Sequence, residues 1–344
     1  MGIPRPVFPS SRGMAAGLAV VLSIFFSPPP GAFSSPLQRL YVANEGADSV
    51  SVVDLATFET VAVVPTGMRP HYVNVDPRGR YFYVTVLFTK ESDDLLQVFD
   101  VRTNALVASV VTGHQPDHIV PDYTGARLYV SNEAASTLSV VSVPEFKVVE
   151  TVKLKGRGSR GHALTPDGRF VLVPDGRSGD VSVVDLARGT VDRIRLPAGA
   201  QPTAAGIAAD GTLAYVADAG LNQVHKIDVA RRAVLGSLSV GRRPAEAPVH
   251  PTRPYLYVPC AEEAAVYKVD LGSWKVEKII PVGPGPVGIA YGADGRYAYV
   301  TLSREQPTGR VVVIDTETDT VRSTFPVGKS PRGLAVLFGK NQGW

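Results

Sequence analysis

The chain has one cysteine, Cys260, so no disulfide can form within it. Whatever holds it together must come from its core and from the way the fold closes. It has two tryptophans and three methionines among 344 residues. No long stretch repeats apolar residues at helical spacing. No Lys/Arg-rich run marks a nucleic-acid arm, and only 19% of residues are charged, which argues against nucleic acid as a partner. Several catalytic signatures are also missing. Without a G-x-S-x-G elbow, a hydrolase triad has no anchor in the sequence. Without C-x-x-C-H, covalent haem is excluded. There is no acidic loop of EF-hand type, and the glycine-rich "GRGSRG" is followed by no helix that would make it a phosphate loop. His225 and His250 stand isolated and read as structural or exposed residues.

The longest apolar run, Met14 to Ser27, is too short to cross a bilayer comfortably. Arg5 and Arg12 precede it and Ala32-Phe33-Ser34 follows, so residues 1–34 read as a cleavable secretory signal peptide. No cysteine follows the run, which argues against a lipid anchor, and no membrane span is expected after cleavage. Loss of the leader would lower the formal charge from +3 to +1. The expected location is the periplasm or the exterior of the cell.

What the sequence does have is turn residues, 33 Gly and 28 Pro, and a repeat. An aromatic-Val pair returns as Tyr41-Val42, Tyr83-Val84, Tyr129-Val130, Tyr215-Val216, Tyr257-Val258 and Tyr299-Val300, with Leu172-Val173 as a weaker copy. Each is followed by a β-branched run ending in Asp (Asp54, Asp100, Asp185, Asp228, Asp270, Asp315; Ser142 in the third copy), then by Gly-x-x-Pro or its variant. "SVSVVD" and "DVSVVD" alternate with the period of two expected of strands. Four short strands in a unit of 40 to 45 residues make a propeller blade. Residues 35–344 therefore read as one all-β, seven-bladed β-propeller with four strands per blade, A to D from the channel outward. The chain begins on a strand B near Leu40 and ends on a strand A near Val336, so the C-terminal strand is expected to pair with the N-terminal blade and close the ring.

"LYVANEGADSVSVVDLATFETVAVVPTGMRP" and "YVSNEAASTLSVVSV" closely resemble the YVTN β-propeller repeat family. The resemblance covers essentially all of residues 35–344. It implies a seven-bladed exported protein of the surface-layer or periplasmic type, and implies little about activity, because propellers host binding modules, lactonases, haem enzymes and metal sites alike.

The seven copies serve as one another's alignment. After the Pro column, the first position reads His71, Asp117, Arg160, Thr203, Ala245, Val287, Arg332; the second reads Tyr72, His118, Gly161, Ala204, Glu246, Gly288, Gly333. The third is apolar except for His162. These positions start strand A and should ring one channel mouth, the place where closed β-folds bind ligands. His71, Tyr72, Asp117, His118, Arg160, His162, Glu246 and Arg332 are the candidate binding residues.

Three readings follow. His71, His118 and His162 hold copper or zinc, with Asp117 or Glu246 beside them. Alternatively, arginines and histidines, with Arg69, His114, Arg157, Arg242, Arg243 and Lys329 from flanking loops, make a positive funnel for an anion. Or all are solvated mouth residues. The B–C loops, carrying Glu45, Glu133 and Cys260, should open on the same face and offer a surface to a small ligand or protein partner. The sequence favours an exported binding or accessory protein. Its competitor is a metal-dependent enzyme, a lactonase-like hydrolase or redox accessory, at the same mouth.

Overall fold

A computed structural model describes residues 1–2, 38–88 and 94–337; the leader and most of the charged "LFTKESDDL" loop lie outside them. Residues 38–337 belong to one compact unit. Every regular element among the described residues is a strand, and the strands form seven antiparallel sheets, the blades of a seven-bladed propeller.

Blade one consists, from the channel outward, of Pro331–Leu337, Arg39–Asn44, Ser49–Asp54 and Glu59–Pro65. It joins the two ends of the chain: Leu40 pairs with Val336 and Val42 with Leu334. Blades two, three, five and seven begin at the channel with Met68–Val75, Pro116–Pro121, Pro202–Ile207 and Pro286–Tyr291. Two inner strands are degraded. In blade four only Ala163–Leu164 is regular, preceded by single bridges from Ser159 to Asp175 and from Gly161 to Ala204. In blade six three regular strands remain, and the inner segment is joined to them by isolated bridges, where Pro244 meets Cys260 and Val249 meets Leu256. Pro248, which no other inner strand has at its position, contributes to this, since it has no N–H to give a ladder.

The strand-B tyrosines hold neighbouring blades together. Tyr41 is fully buried, and its ring lies 4.7 Å from that of Phe82 in blade two. Tyr83, Tyr129, Tyr215, Tyr257 and Tyr299 likewise share core clusters with the blade that follows. Both faces of each middle strand are thus buried, as in Ser49–Asp54, while the outer strands alternate exposed and covered residues. The Asp column ends strand C by accepting turn N–H groups: Asp54 from Ala56 at 2.8 Å, Asp100 from Arg102 at 2.9 Å, Asp228 from Arg231 at 2.8 Å. These are Asx-type turns.

Candidate functional site at the channel mouth

Each regular inner strand begins with a break in register. The pairing shifts between Pro70 and Tyr72, between Pro116 and His118, and between Pro202 and Ala204. A bulge opposes two residues to one and spoils the strict alternation of faces. This is why consecutive residues, His71 with Tyr72 and Asp117 with His118, both line the channel cavity. The backbone groups freed at the bulge are taken up by a hydroxyl from strand B. Thr85 accepts from the Tyr72 N–H at 3.0 Å and donates to the Asp117 carbonyl of the next blade at 3.0 Å. Ser131 does the same between His118 and the Arg160 carbonyl, and Thr301 between Gly288 and the Arg332 carbonyl. Some positions in the ring must then be small. A side chain at Gly333 would strike the Tyr72 ring at 2.4 Å, and one at Gly288 the Arg332 carbonyl at 2.3 Å.

The resulting cavity has a volume of about 160 Å³, and its walls include His71, Tyr72, Asp117, His118, Arg160, Glu246 and Arg332. Seven of the eight sequence candidates meet there. The eighth, His162, does not: it is 1% exposed, turned into the packing between blades, and its Nε2 lies 3.1 Å from the Tyr129 carbonyl. Burial pushes its imidazole down to about 4, so it is neutral.

This corrects the expected copper or zinc triad. His71 Nδ1 lies 3.3 Å from an Asp117 carboxylate oxygen, His162 is bonded to a backbone carbonyl, and His118 lies between two rings. Its centroid is 3.8 Å from that of Tyr72 and 5.0 Å from that of His162. Burial, then the neighbouring His162 and His71, hold His118 well below the usual imidazole range. Among the described residues no three His, Cys, Asp or Glu side chains are grouped to hold a metal ion. Tyr72, His118 and His162 make a row of tilted and edge-on rings that runs from the cavity wall into the core. Cys260 is fully buried, and burial pushes its thiol up to about 12.

The acids of the cavity differ from one another. Burial raises the Glu246 carboxyl to about 8, helped by the negative Asp117, while a bond from the Ile289 N–H at 3.2 Å works the other way. Burial also raises Asp117; His71, Arg160 and Arg332 oppose the rise without cancelling it.

The arginines of the mouth are clamped by the B–C loops. Glu45 accepts from Arg332 at 2.5 Å and from Arg69 at 2.5 Å; Glu133 accepts from Arg160 at 3.2 Å and lies 3.4 Å from Arg177. The loops reach there because their backbones bond the turns between blades, Glu45 N–H to Ser330 and Glu133 N–H to Gln115. Burial opposes ionisation of Glu45, but Arg332 and Arg69 outweigh it and hold its carboxyl below the ordinary range. Each clamp thus gathers two guanidinium groups on one carboxylate at the rim of the cavity. The sequence marked Glu45 and Glu133 as matched positions without revealing this pairing.

The model of the family described as "Lactonase, 7-bladed beta-propeller" matches residues 28–145, about a third of the chain and the part that carries His71, Tyr72, Asp117 and His118. Antigen Lp49 of Leptospira interrogans serogroup Icterohaemorrhagiae serovar copenhageni (strain Fiocruz L1-130) is 28% identical over 233 residues, which are 61% of this chain. The chain spans half the length of that relative. Among solved structures, Kuenenia stuttgartiensis hydrazine synthase is similar with a TM-score of 0.73 at 20% identity, over 82% of this chain and 93% of that one. The periplasmic gluconolactonase PpgL of Pseudomonas aeruginosa is similar with a TM-score of 0.73 at 18% identity, over 88% and 99%. At such identities these structures speak for the seven-bladed fold.

Proposed function

We propose that the channel-mouth cavity is a small-molecule site and that its chemistry is the hydrolysis of a compact lactone. The observation that carries this reading is the pair Asp117 and Glu246. Burial raises both carboxyls, but only at Asp117 do neighbouring cations oppose the rise, and two carboxyl groups so differently placed can supply a base and an acid at one pH. Glu246, raised to about 8, is protonated at neutral pH. Asp117, raised by burial but with His71, Arg160 and Arg332 opposing the rise, is assigned the role of the carboxylate. In this scheme Asp117 takes a proton from water as the water attacks the lactone carbonyl. Arg160 and Arg332 face the oxyanion, and Glu246 protonates the departing ring oxygen. A cavity of about 150 Å³ admits a ring of benzene size, which suits a single lactone ring.

The lactonase family model and the resemblance to a periplasmic gluconolactonase support the same chemistry. They also support a working compartment outside the cytoplasm, in keeping with the leader-like residues 1–34. The test is acid release from a panel of five- and six-membered sugar lactones, followed with a pH indicator. Turnover is expected, and Asp117→Ala should lower it by about 10²–10⁴-fold. Binding of the lactones or their acids with no turnover would return the site to a binding module. Neither binding nor turnover would end the reading. Export is tested separately, by finding a mature N-terminus near Ser35 in the exported fraction.

A further inference from the structure

Away from the channel, blade five places a carboxylate, an imidazole and a hydroxyl in line across three adjacent strands. Asp218 ends Leu213–Asp218, His225 lies in Gln223–Asp228, and Ser237 lies in the outermost strand, Ala233–Ser239. The register puts His225 opposite Ser237 on one side and opposite Val216 on the other, two residues from Asp218. His225 Nε2 is 2.8 Å from Asp218 Oδ2, and His225 Nδ1 is 2.7 Å from Ser237 Oγ. The histidine and the aspartate are fully buried, whereas Ser237 is exposed.

The bonding fixes the proton positions. Asp218 also accepts N–H groups from Gln201, Gly220 and Leu221. Burial raises its carboxyl, but the His225 bond and these donors more than reverse that, so it is an acceptor. His225 therefore carries a hydrogen on Nε2, and in the tautomer with that hydrogen alone Nδ1 accepts from the Ser237 hydroxyl. A hydroxyl directed at an imidazole that a buried carboxylate orients is the arrangement of an activated serine, recognised by geometry and not by sequence order. Other blades lack it. Ser51, Ser139 and Ser182 meet Asn44, Asn132 and Asp175 directly, at 2.9, 3.0 and 2.6 Å, with no imidazole between.

The structure assigns Ser237 as a nucleophile that takes an acyl or phosphonyl group from a small activated ester at the outer edge of blade five, with His225 as its base and Asp218 as the orienting acid. The site is separate from the channel mouth and does not rest on the lactone reading. In the step, Ser237 Oγ bonds to the carbonyl carbon of an aryl ester and the ester C–O bond breaks. The serine proton passes to His225 Nδ1 and on to the departing phenolate, leaving acyl-serine and phenol. As an edge strand, Ala233–Ser239 turns alternate backbone N–H groups to solvent, where they can face the oxyanion.

The experiment incubates the folded full chain with an alkyl fluorophosphonate and, separately, with p-nitrophenyl acetate, and maps the adduct by peptide mass spectrometry. Ser239, exposed on the same strand and opposite Gln223, is the internal control. Ser237 should be modified at least about 100-fold faster than Ser239, and His225→Gln should remove that advantage. Ser237→Ala, an exposed change that leaves the core intact, should abolish the adduct. Equal labelling of Ser237 and Ser239, no labelling of Ser237, or full labelling in His225→Gln would overturn the assignment. If His225→Gln does not fold, the comparison of Ser237 with Ser239 in the unaltered chain decides.

Discussion

Glu45 and Arg332 lie 287 positions apart in sequence and 2.5 Å apart in space. The contact sits in the blade that joins the two ends of the chain, and it aims a guanidinium along the rim of the cavity. Glu45 holds Arg69 as well, so replacing it removes one contact from each of two cations.

The first prediction concerns that clamp. Arg332 and Arg69 are 40% and 48% exposed, so water already screens both pairs. Glu45→Gln is expected to cost less than about 1 kcal/mol of stability. Its effect should appear at the site, as a KM for lactone several-fold higher, because Arg332 loses its fixed orientation. Chemical denaturation and steady-state kinetics measure the two separately. A large loss of stability with unchanged KM would mean that the clamp serves ring closure alone.

The second prediction tests the hydroxyl belt. Thr85 is fully buried and satisfies both the Tyr72 N–H and the Asp117 carbonyl. Thr85→Val keeps the shape and removes both bonds. Leaving buried backbone groups unpaired costs about 1–3 kcal/mol each. The expected result is a lower denaturation midpoint together with impaired turnover, since the bulge that presents Asp117 is no longer pinned. Thr85→Ser should restore most of both.

How much of this was legible in the sequence depends on what each blade repeats. Six Tyr-Val pairs with one Leu-Val copy, and six Gly-x-x-Pro turns with one variant, announce seven blades, because most blades use the same inter-blade tyrosine and the same turn. The weak inner segment of blade six was not legible as such, although Pro248 was in view. The convergence of the site followed from comparing the copies, column by column. What the columns could not give was direction. The bulge after Pro70 and Pro116 sends two successive residues to the channel and the third, the column of Val73, Ile119 and His162, into the core. A histidine at that third position therefore becomes packing. The clamps by Glu45 and Glu133, and the alignment of His225 with Ser237, depend on cross-strand register, which no single strand encodes.

A third prediction follows from Cys260. Its thiol is fully buried and pushed up to about 12, so almost none is thiolate at neutral pH. Because the thiolate is the reactive form, the folded protein should resist iodoacetamide for hours and react fully in denaturant. Intact mass after timed quenching reads this directly. Rapid alkylation of the native protein would show that the blade-six interior opens readily, as its missing inner ladder would allow.

The last prediction is the pH dependence set by Glu246. Its folded carboxyl is raised to about 8, whereas an unfolded glutamate titrates near 4.3. Between these values the folded chain binds a proton that the unfolded chain does not. The contribution to stability is therefore complete below about pH 4, declines as pH rises, and is lost above about pH 8. Glu246→Gln, neutral at every pH, removes the dependence. The variant should gain melting temperature relative to the unaltered protein as pH goes from 6 to 9, with the gap levelling off beyond pH 8. Turnover should fall over the same interval in the unaltered protein, because the acid that protonates the leaving oxygen is being lost. In Glu246→Gln it should be lower by about 10²-fold or more and no longer show that alkaline limb. A melting-temperature gap that stays constant from pH 6 to 9 would place the Glu246 carboxyl in the ordinary carboxylate range and take from the site its neutral-pH acid.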